Sequence, residues 1–354
     1  MSRRESSAVQ GIAVLMMMFH HFFLYAWMFP EGFLAFPERT QQLAWCGRMC
    51  VGMFSFVSGV GIFHLLKDKA SFAAGIKPVI IRILRLYIRL WLAMALSIIL
   101  PALMLGEEIK WAELPGNLLA TDPTYNNTWW YVREYACMLI AAPFMAVFFR
   151  GDKKNRLILA AVGIILAAAA AALLFIPGLR PVLDFIHEKV ELIFLIIFGE
   201  GYLAAFLQDT VKKRKDRKPE EEKRVRLIFG AAGLFAVIIV VAVRYLFTAT
   251  PSEAKQDIVL VPVLIWGLVR LMRVIKPFLA AADYFGKHST YIWLVHGAVW
   301  MRCFEFLTAH TVPVVYYLVI AGLSLAAAYL FELIEKAARS LTKKDGNDKL
   351  IRQH

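Results

Sequence analysis

The sequence predicts an all-α, polytopic integral membrane protein with about ten transmembrane helices and both termini in the cytoplasm. Hydrophobic residues make up 60% of the 354 residues, and charged residues only 19%. Soluble domains are typically roughly 45–50% apolar. One compact soluble core cannot bury this excess, so part of the surface must face lipid. The composition excludes a disordered chain, a disulfide-stapled secreted domain and an ordinary cytosolic enzyme.

The apolar residues are grouped into stretches long enough to cross a bilayer, which takes about 20 residues per helix. The predicted spans are 9–29, 44–66, 84–105, 129–149, 157–176, 186–207, 227–247, 257–276, 288–306 and 313–335. The first stretch contains His20 and His21 and has no small-residue cleavage site. We therefore interpret it as a span and not as a cleavable signal.

The basic residues fix the predicted orientation. Of the 40 Lys and Arg residues, 31 lie in the N-terminal segment, the C-terminal tail and alternate connections, and only five lie in the opposite connections. Because basic loops stay in the cytoplasm, this asymmetry predicts that both termini are cytoplasmic. The net charge of +13 then reflects membrane orientation, and we expect no nucleic-acid partner.

The chain is predicted to form one membrane domain over residues 1–354. Residues 208–226 are predicted to be a charged cytoplasmic loop between two five-helix halves, and residues 336–354 a cytoplasmic tail. The motifs HExxH and CxxC do not occur, so the sequence predicts no metal site. It gives no oligomeric state.

Ionisable residues inside the predicted spans are functional candidates, because each costs a few kcal/mol in the bilayer centre. The deepest are His20, His21, Glu200 and His296. Arg48 and Glu134 lie nearer the outer surface. A structural role is the alternative for each histidine, since an intramembrane imidazole can simply be hydrogen-bonded between helices.

The spacing of Gln10 and His21 points to one helix face. Eleven residues make almost three turns, so the two side chains share a face and lie about 16 Å apart. Gln10 is expected at the cytoplasmic mouth and His21 near mid-membrane, where a neutral imidazole can accept a proton. His20 points about 100° away from this face.

Arg82, Arg85 and Arg89 recur on one helix face just before a span on the cytoplasmic side. Guanidinium groups bind phosphates in bidentate fashion, so this row is a candidate site for a phosphorylated cytosolic donor. The alternative, compatible with it, is an interfacial anchor on anionic lipid.

The longest external loop, 106–128, mixes carboxylates, amides and aromatic rings and leads into Trp129 and Trp130. Aromatic faces stack on sugar rings, while carboxylates and amides such as Asn127 hydrogen-bond the hydroxyls. With Arg48, these residues are candidates for binding a sugar acceptor. The alternative is an interfacial aromatic belt.

Five stretches carry a resemblance to a known family. They are 10–24 (QGIAVLMMMFHHFFL), 51–63 (VGMFSFVSGVGIF), 82–91 (RILRLYIRLW), 128–143 (TWWYVREYACMLIAAP) and, more weakly, 286–296 (GKHSTYIWLVH). The chain resembles the bacterial integral-membrane acyltransferases called acyltransferase family three, which act on carbohydrates. The family's first-helix histidine falls on His21, and a later glutamate falls on Glu134. Gln10 stands where the family has a basic residue.

The resemblance implies transfer of an acyl group, often acetyl, from cytoplasmic acyl-CoA to a hydroxyl of an extracytoplasmic saccharide or cell-envelope glycan. Acyl-CoA would be a co-substrate, with no bound cofactor, and the protein a multi-pass protein of the inner (plasma) membrane. It also implies His21 as the catalytic group, with His20 and Glu134 beside it. The alternative function is a transporter or flippase of glycan precursors without acyl-transfer chemistry.

Overall fold

The computed structural model describes residues 1–69, 71–149, 158–159, 161–165, 168, 191–211, 219–247 and 254–351. Over these residues the chain is helical with short connections, as predicted. The helices are α1 Arg3–Phe23, α2 Pro37–Cys46, α3 Met49–Leu66, α4 Phe72–Met94, α5 Leu100–Leu105, α6 Leu114–Leu118, α7 Trp130–Phe148, α8 Leu192–Thr210, α9 Pro219–Phe247, α10 Asp257–Val274, α11 Lys276–His310 and α12 Pro313–Ile351.

Helix α1 begins and ends about six residues earlier than the predicted span 9–29. Its start is set by a capping box, in which Ser2 accepts from the Glu5 N–H and the Glu5 carboxylate accepts from the Ser2 N–H. The expectation that His21 lies near mid-membrane stays a prediction, although the earlier end of α1 leaves this residue near the helix end and not at its middle. His20 and His21 lie in the last turn of α1, at the end opposite the N-terminus.

The predicted span 44–66 is broken at Gly47. Helix α2 ends at Cys46 and α3 begins at Met49, and the joint packs against α1. A Cβ on Gly47 would lie 2.6 Å from the Met16 carbonyl oxygen and 2.9 Å from the His20 Cβ, so only glycine permits this approach. The joint therefore brings α2 beside the last turn of α1.

Two further crossings rest on pairs of glycines. Where α1 meets α11, a Cβ on Gly11 would lie 1.8 Å from the Ala282 carbonyl oxygen, and one on Gly286 would lie 1.7 Å from that of Ser7. Where α3 meets α8, Gly59 and Gly201 permit equally close backbone contact. Close approach through small residues is how helices gain packing energy where lipid supplies no hydrophobic driving force between them.

The loop that the sequence predicts to be external follows α4 after a π-helical segment, Ala95–Ile99, and α5. Asn117 holds this loop in shape, because its amide donates to the Glu113 carbonyl and to Thr124 Oγ1 and accepts from the Tyr125 N–H. The loop, residues 106–126, is consequently ordered beside the ends of α1, α3, α7 and α11.

Seven helical stretches, some of them made of consecutive helices, are long and apolar enough to cross a membrane, judged by length and composition over the described residues. They are Arg3–Phe23, Pro37–Leu66, Phe72–Met104, Asn127–Phe148, Leu192–Thr210, Pro219–Phe247 and Pro313–Ala338. The predicted spans 257–276 and 288–306 are helical in α10 and α11, which do not meet this criterion of length and composition. The predicted span 157–176 lies largely outside the described residues. Ten spans, and the cytoplasmic position of both termini, stay predictions.

The two charged segments are partly helical. Within the predicted loop 208–226, α8 ends at Thr210 and α9 begins at Pro219, while 212–218 lies outside the described residues. Helix α12 continues through the predicted tail as far as Ile351.

Candidate active site

A cavity of about 500 Å³ lies at the ends of α1, α3, α7 and α11 that are remote from the N-terminus. We call it the inner cavity. Its polar and aromatic lining residues are His20, His21, Tyr25, Trp45, Arg48, Thr124, Tyr125, Asn126, Asn127, Thr128, Trp130, Glu191 and Trp300. The cavity therefore collects five of the residues that the sequence singles out in separate parts of the chain. They are His20 and His21 on α1, Arg48 at the start of α3, Asn127 after the loop 106–126, and Trp130 at the start of α7.

His20 is fixed in one tautomer. Its Nδ1 donates to the Ala44 carbonyl oxygen at 2.8 Å, so Nε2 carries the lone pair and acts as an acceptor. The Trp45 ring packs on the imidazole at 5.4 Å between centroids. The joint at Gly47 is what places Ala44 and Trp45 here.

His21 lies between two other imidazoles. Its ring centroid is 5.0 Å from that of His20 and 5.2 Å from that of His296. No hydrogen bond joins its ring to any other described residue, so both ring nitrogens are available to a bound molecule. Helix geometry explains the arrangement, because neighbouring residues on α1 point toward α2 and α11 respectively.

His296 is fully buried beside His21. Its Nδ1 donates to the Trp293 carbonyl oxygen at 2.6 Å, which leaves Nε2 as an acceptor without a partner among the described residues. The sequence predicts His296 as an intramembrane polar group without linking it to His21. Their proximity depends on the α1–α11 crossing, which no local pattern specifies.

Arg48 and Glu191 form an ion pair of 3.9 Å on the cavity wall. Glu191 is not among the site residues predicted from the sequence, although a carboxylate at the start of an apolar run is a visible signal. Glu134 does not line the cavity. It is buried, pairs with Arg133 at 3.0 Å and accepts from the Glu191 N–H at 2.9 Å. Its place in the structure is thus behind Glu191.

A second cavity of about 320 Å³ adjoins the first on the side that is external in the predicted orientation, and we call it the outer cavity. Its lining includes Trp129, whose Nε1 donates to the Leu294 carbonyl oxygen at 2.8 Å. At its rim the Arg302 guanidinium binds both oxygens of Glu107, at 2.9 and 3.0 Å. These hydrogen bonds lower the pKa of the exposed Glu107 carboxyl below its ordinary value.

The predicted donor residues lie away from both cavities. In the arginine row, Arg82 Nε donates to the Tyr135 hydroxyl at 2.8 Å, and Arg89 pairs with Glu335 at 3.1 Å. Arg85 is exposed. Gln10 and Glu200 line neither cavity.

A third cavity of about 360 Å³ opens between the cytoplasmic-side ends of α8 and α10, in the predicted orientation. Its lining includes Arg270 and Arg273 as well as Pro262, which lies eleven residues before Arg273, about 16 Å away along α10. Arg273 pairs with Glu5, whereas Arg270 stacks on Trp266 and Phe229. In the sequence these arginines contribute only to the predicted orientation.

Among the described residues, no group of three or more His, Cys, Asp or Glu side chains is placed to hold a metal ion. The site instead offers imidazole acceptors, one guanidinium–carboxylate pair and aromatic faces. This combination suits proton transfer to and from a hydroxyl-bearing molecule held by stacking and hydrogen bonds.

Apolar helices around a polar cavity lined by histidines define a multi-pass membrane protein with an enzyme-like site. The sequence profile of the acyltransferase domain matches residues 5–333, and the chain belongs to acyltransferase family three. It is therefore a membrane acyltransferase. No curated protein and no solved structure matches the chain.

Proposed function

We propose that this acyltransferase moves an acyl group, with acetyl as the expected one, from cytoplasmic acyl-CoA to a hydroxyl of an extracytoplasmic saccharide or cell-envelope glycan. The observation that carries the proposal is the pair of imidazoles of His20 and His21 at the wall of a polar, aromatic cavity, with the buried His296 packed against His21. Because the proposed donor is cytoplasmic, the proposal also places the protein in the inner (plasma) membrane.

In the proposed reaction His21 is the general base. Its unbonded ring nitrogen takes the proton of the acceptor hydroxyl as the oxygen attacks the thioester carbonyl. The carbon–sulfur bond breaks, the new ester forms, and the CoA thiolate leaves with the proton from the imidazolium. His20 is the neighbouring candidate, because the Ala44 carbonyl holds its Nε2 as an acceptor.

The acceptor would lie in the inner cavity. Trp130 offers a ring face, while Asn127 and the Arg48–Glu191 pair offer hydrogen bonds to hydroxyls. Trp129 contributes to the outer cavity. Glu134 is a positioning residue in this proposal, since it acts on the cavity through the backbone at Glu191.

The donor would enter from the cytoplasmic side, and two sets of arginines are candidates for its phosphates. In the row on α4, only Arg85 lacks a partner among the described residues, since Arg82 and Arg89 are bonded to neighbours. At the third cavity, Arg270 has no hydrogen bond within the described part of the chain. A narrow pantetheine arm suits a cleft that runs about 16 Å along α10.

The test uses purified protein, acetyl-CoA and a saccharide fraction released from the cell envelope. We expect thiol release that depends on the saccharide, with the acetyl label recovered in an ester. Saccharide movement across vesicles without thiol release would instead support the transporter alternative. Thiol release without an acylated saccharide would contradict the proposed acceptor.

A further inference from the structure

We propose that the acceptor occupies the inner and outer cavities together, so that it is an oligosaccharide or glycan chain with at least two linked rings. We further assign an uncharged or amino-bearing ring to the outer cavity. The inference rests on the proposed function, because it names the class of acceptor that the same site takes.

The two cavities adjoin. Tyr125, Asn126 and Met301 line both of them. Along α11, Gly297 lines the inner cavity and Arg302 the outer one, about 7.5 Å further along the helix. A single ring held against the histidines leaves the outer cavity empty, whereas a second ring linked to it extends into that space.

Two buried polar atoms at the junction of the two cavities have no hydrogen-bond partner among the described residues. Asn126 is only 6% exposed, and its Oδ1 accepts from the Thr128 N–H and hydroxyl. Since a backbone N–H only donates, the amide orientation is fixed and Nδ2 faces away from Thr128. Neither Asn126 Nδ2 nor the buried Tyr125 hydroxyl has a partner among the described residues.

Such buried atoms normally find partners, and ring hydroxyls of a bound chain would supply them at the point where it passes between the cavities. The Asn126 amide packs directly against α11 at Gly297. A Cβ on Gly297 would lie only 2.8 Å from Asn126 Oδ1, so the absence of a side chain there leaves room for the amide.

The charges of the outer cavity select among rings. Its lining holds two carboxylates, Glu107 and Glu108, against one guanidinium, Arg302, which is already bonded to Glu107. A carboxylate-bearing ring would meet excess negative charge, whereas a neutral or amino-bearing ring would not.

The first experiment measures acetyl transfer by the wild-type protein to a length series, from one to four rings, prepared by partial hydrolysis of envelope glycans from the source cell. We expect kcat/KM to be at least about tenfold higher for two or more rings than for one, because a single ring lacks the contacts that a second ring would make in the outer cavity. Equal values would overturn the inference but leave the proposed function. Transfer to none of them would overturn both.

The second experiment fills the outer cavity. Ala298 lines it on α11 and does not line the inner one, so Ala298→Trp should lower the oligosaccharide-to-monosaccharide ratio of kcat/KM at least about tenfold. The matched control, Leu318→Trp, lies on α12, is exposed and lines neither cavity, and should keep the wild-type ratio. An unaltered ratio in Ala298→Trp overturns the assignment of the outer cavity.

The third experiment compares disaccharides that differ only in the second ring, a hexuronic acid or a hexosamine, with the wild-type protein. The hexosamine form should be the better acceptor. Equal or better transfer to the hexuronic acid form overturns the charge assignment.

Discussion

The imidazole rings of His21 and His296 lie 5.2 Å apart between centroids, inclined by 34°, although they come from the first helix and from α11. The contact follows from the close crossing of α1 and α11 at Gly11 and Gly286. Helix packing thus decides which histidine stands beside which, and with it the composition of the cavity wall.

His21→Ala should lower turnover by about 10²–10⁴-fold, the usual contribution of a general base. The variant should still bind acetyl-CoA, because the arginines proposed to bind the donor phosphates are unchanged. Steady-state rates and donor binding by the purified variant check this. His20→Ala should be milder. Loss of turnover in His20→Ala with full activity in His21→Ala would transfer the role of base to His20.

Arginine variants should distinguish the two donor sites. Loss of one charge-assisted phosphate contact costs about 1.5–3 kcal/mol, so the donor KM should rise about tenfold or more in the variant that removes it. Arg85→Gln and Arg270→Gln are compared by initial rates at varied acetyl-CoA. Arg224→Gln, an exposed arginine on α9, is the matched control. If neither candidate variant changes the donor KM, the phosphates are bound elsewhere.

Gly11→Ala should destabilise the protein. The new methyl group would meet the Ala282 carbonyl oxygen at 1.8 Å, and backbone cannot move aside cheaply. Overpacking typically costs about 1–3 kcal/mol. Thermal unfolding in detergent checks the effect against Gly322→Ala, where no atom lies within 4 Å of the added Cβ. Equal melting temperatures for the two variants would contradict the described crossing.

The ion pair between Glu107 and Arg302 at the rim of the outer cavity should break only at a pH below the ordinary pKa of glutamate. Because Arg302 lowers the pKa of Glu107, the ion pair is intact above the ordinary glutamate range and is lost only as pH falls through the lowered value. Hydrogen exchange of the segment that begins at Glu107, corrected for intrinsic rates, should stay constant from neutral pH into the ordinary glutamate range. Arg302→Gln should exchange faster already at neutral pH. Release at or above the ordinary pKa of glutamate would show that the pair is not held as described.

Reporter fusions should place the inner cavity outside the cytoplasm. Fusions after residues 30, 115 and 252 should be external, and those after 70, 152 and 215 cytoplasmic, because Lys and Arg are concentrated in the latter connections. Any fusion on the opposite side would require a different number or order of spans.

The sequence was sufficient for the helical class and for several residues of the inner cavity, because hydropathy and family motifs act locally. It was insufficient for helix ends. The predicted first span covered residues 9–29, whereas α1 covers Arg3–Phe23, and the Ser2–Glu5 capping box places the start of the helix in a polar segment that hydropathy discounts. With these ends, His21 lies in the last turn of α1 and not at its middle.

Contacts between distant helices were the other limit. Gly11 and Gly286 belong to stretches that carried the family resemblance, yet their role as the two halves of one crossing is visible only in three dimensions. The same holds for Glu134, whose bond to the Glu191 N–H joins residues in separate spans.

The hydrogen bond from His20 to Ala44 has an evolutionary consequence. Its acceptor is a backbone carbonyl, which every amino acid possesses, so exchange of the residue at position 44 does not by itself remove the bond. A substitution at position 44 therefore keeps the backbone acceptor that fixes the tautomer of His20. The vulnerability lies three residues away at Gly47, where any side chain would collide with α1. We therefore expect relatives to conserve Gly47 and to vary at position 44, although position 44 supplies the hydrogen bond.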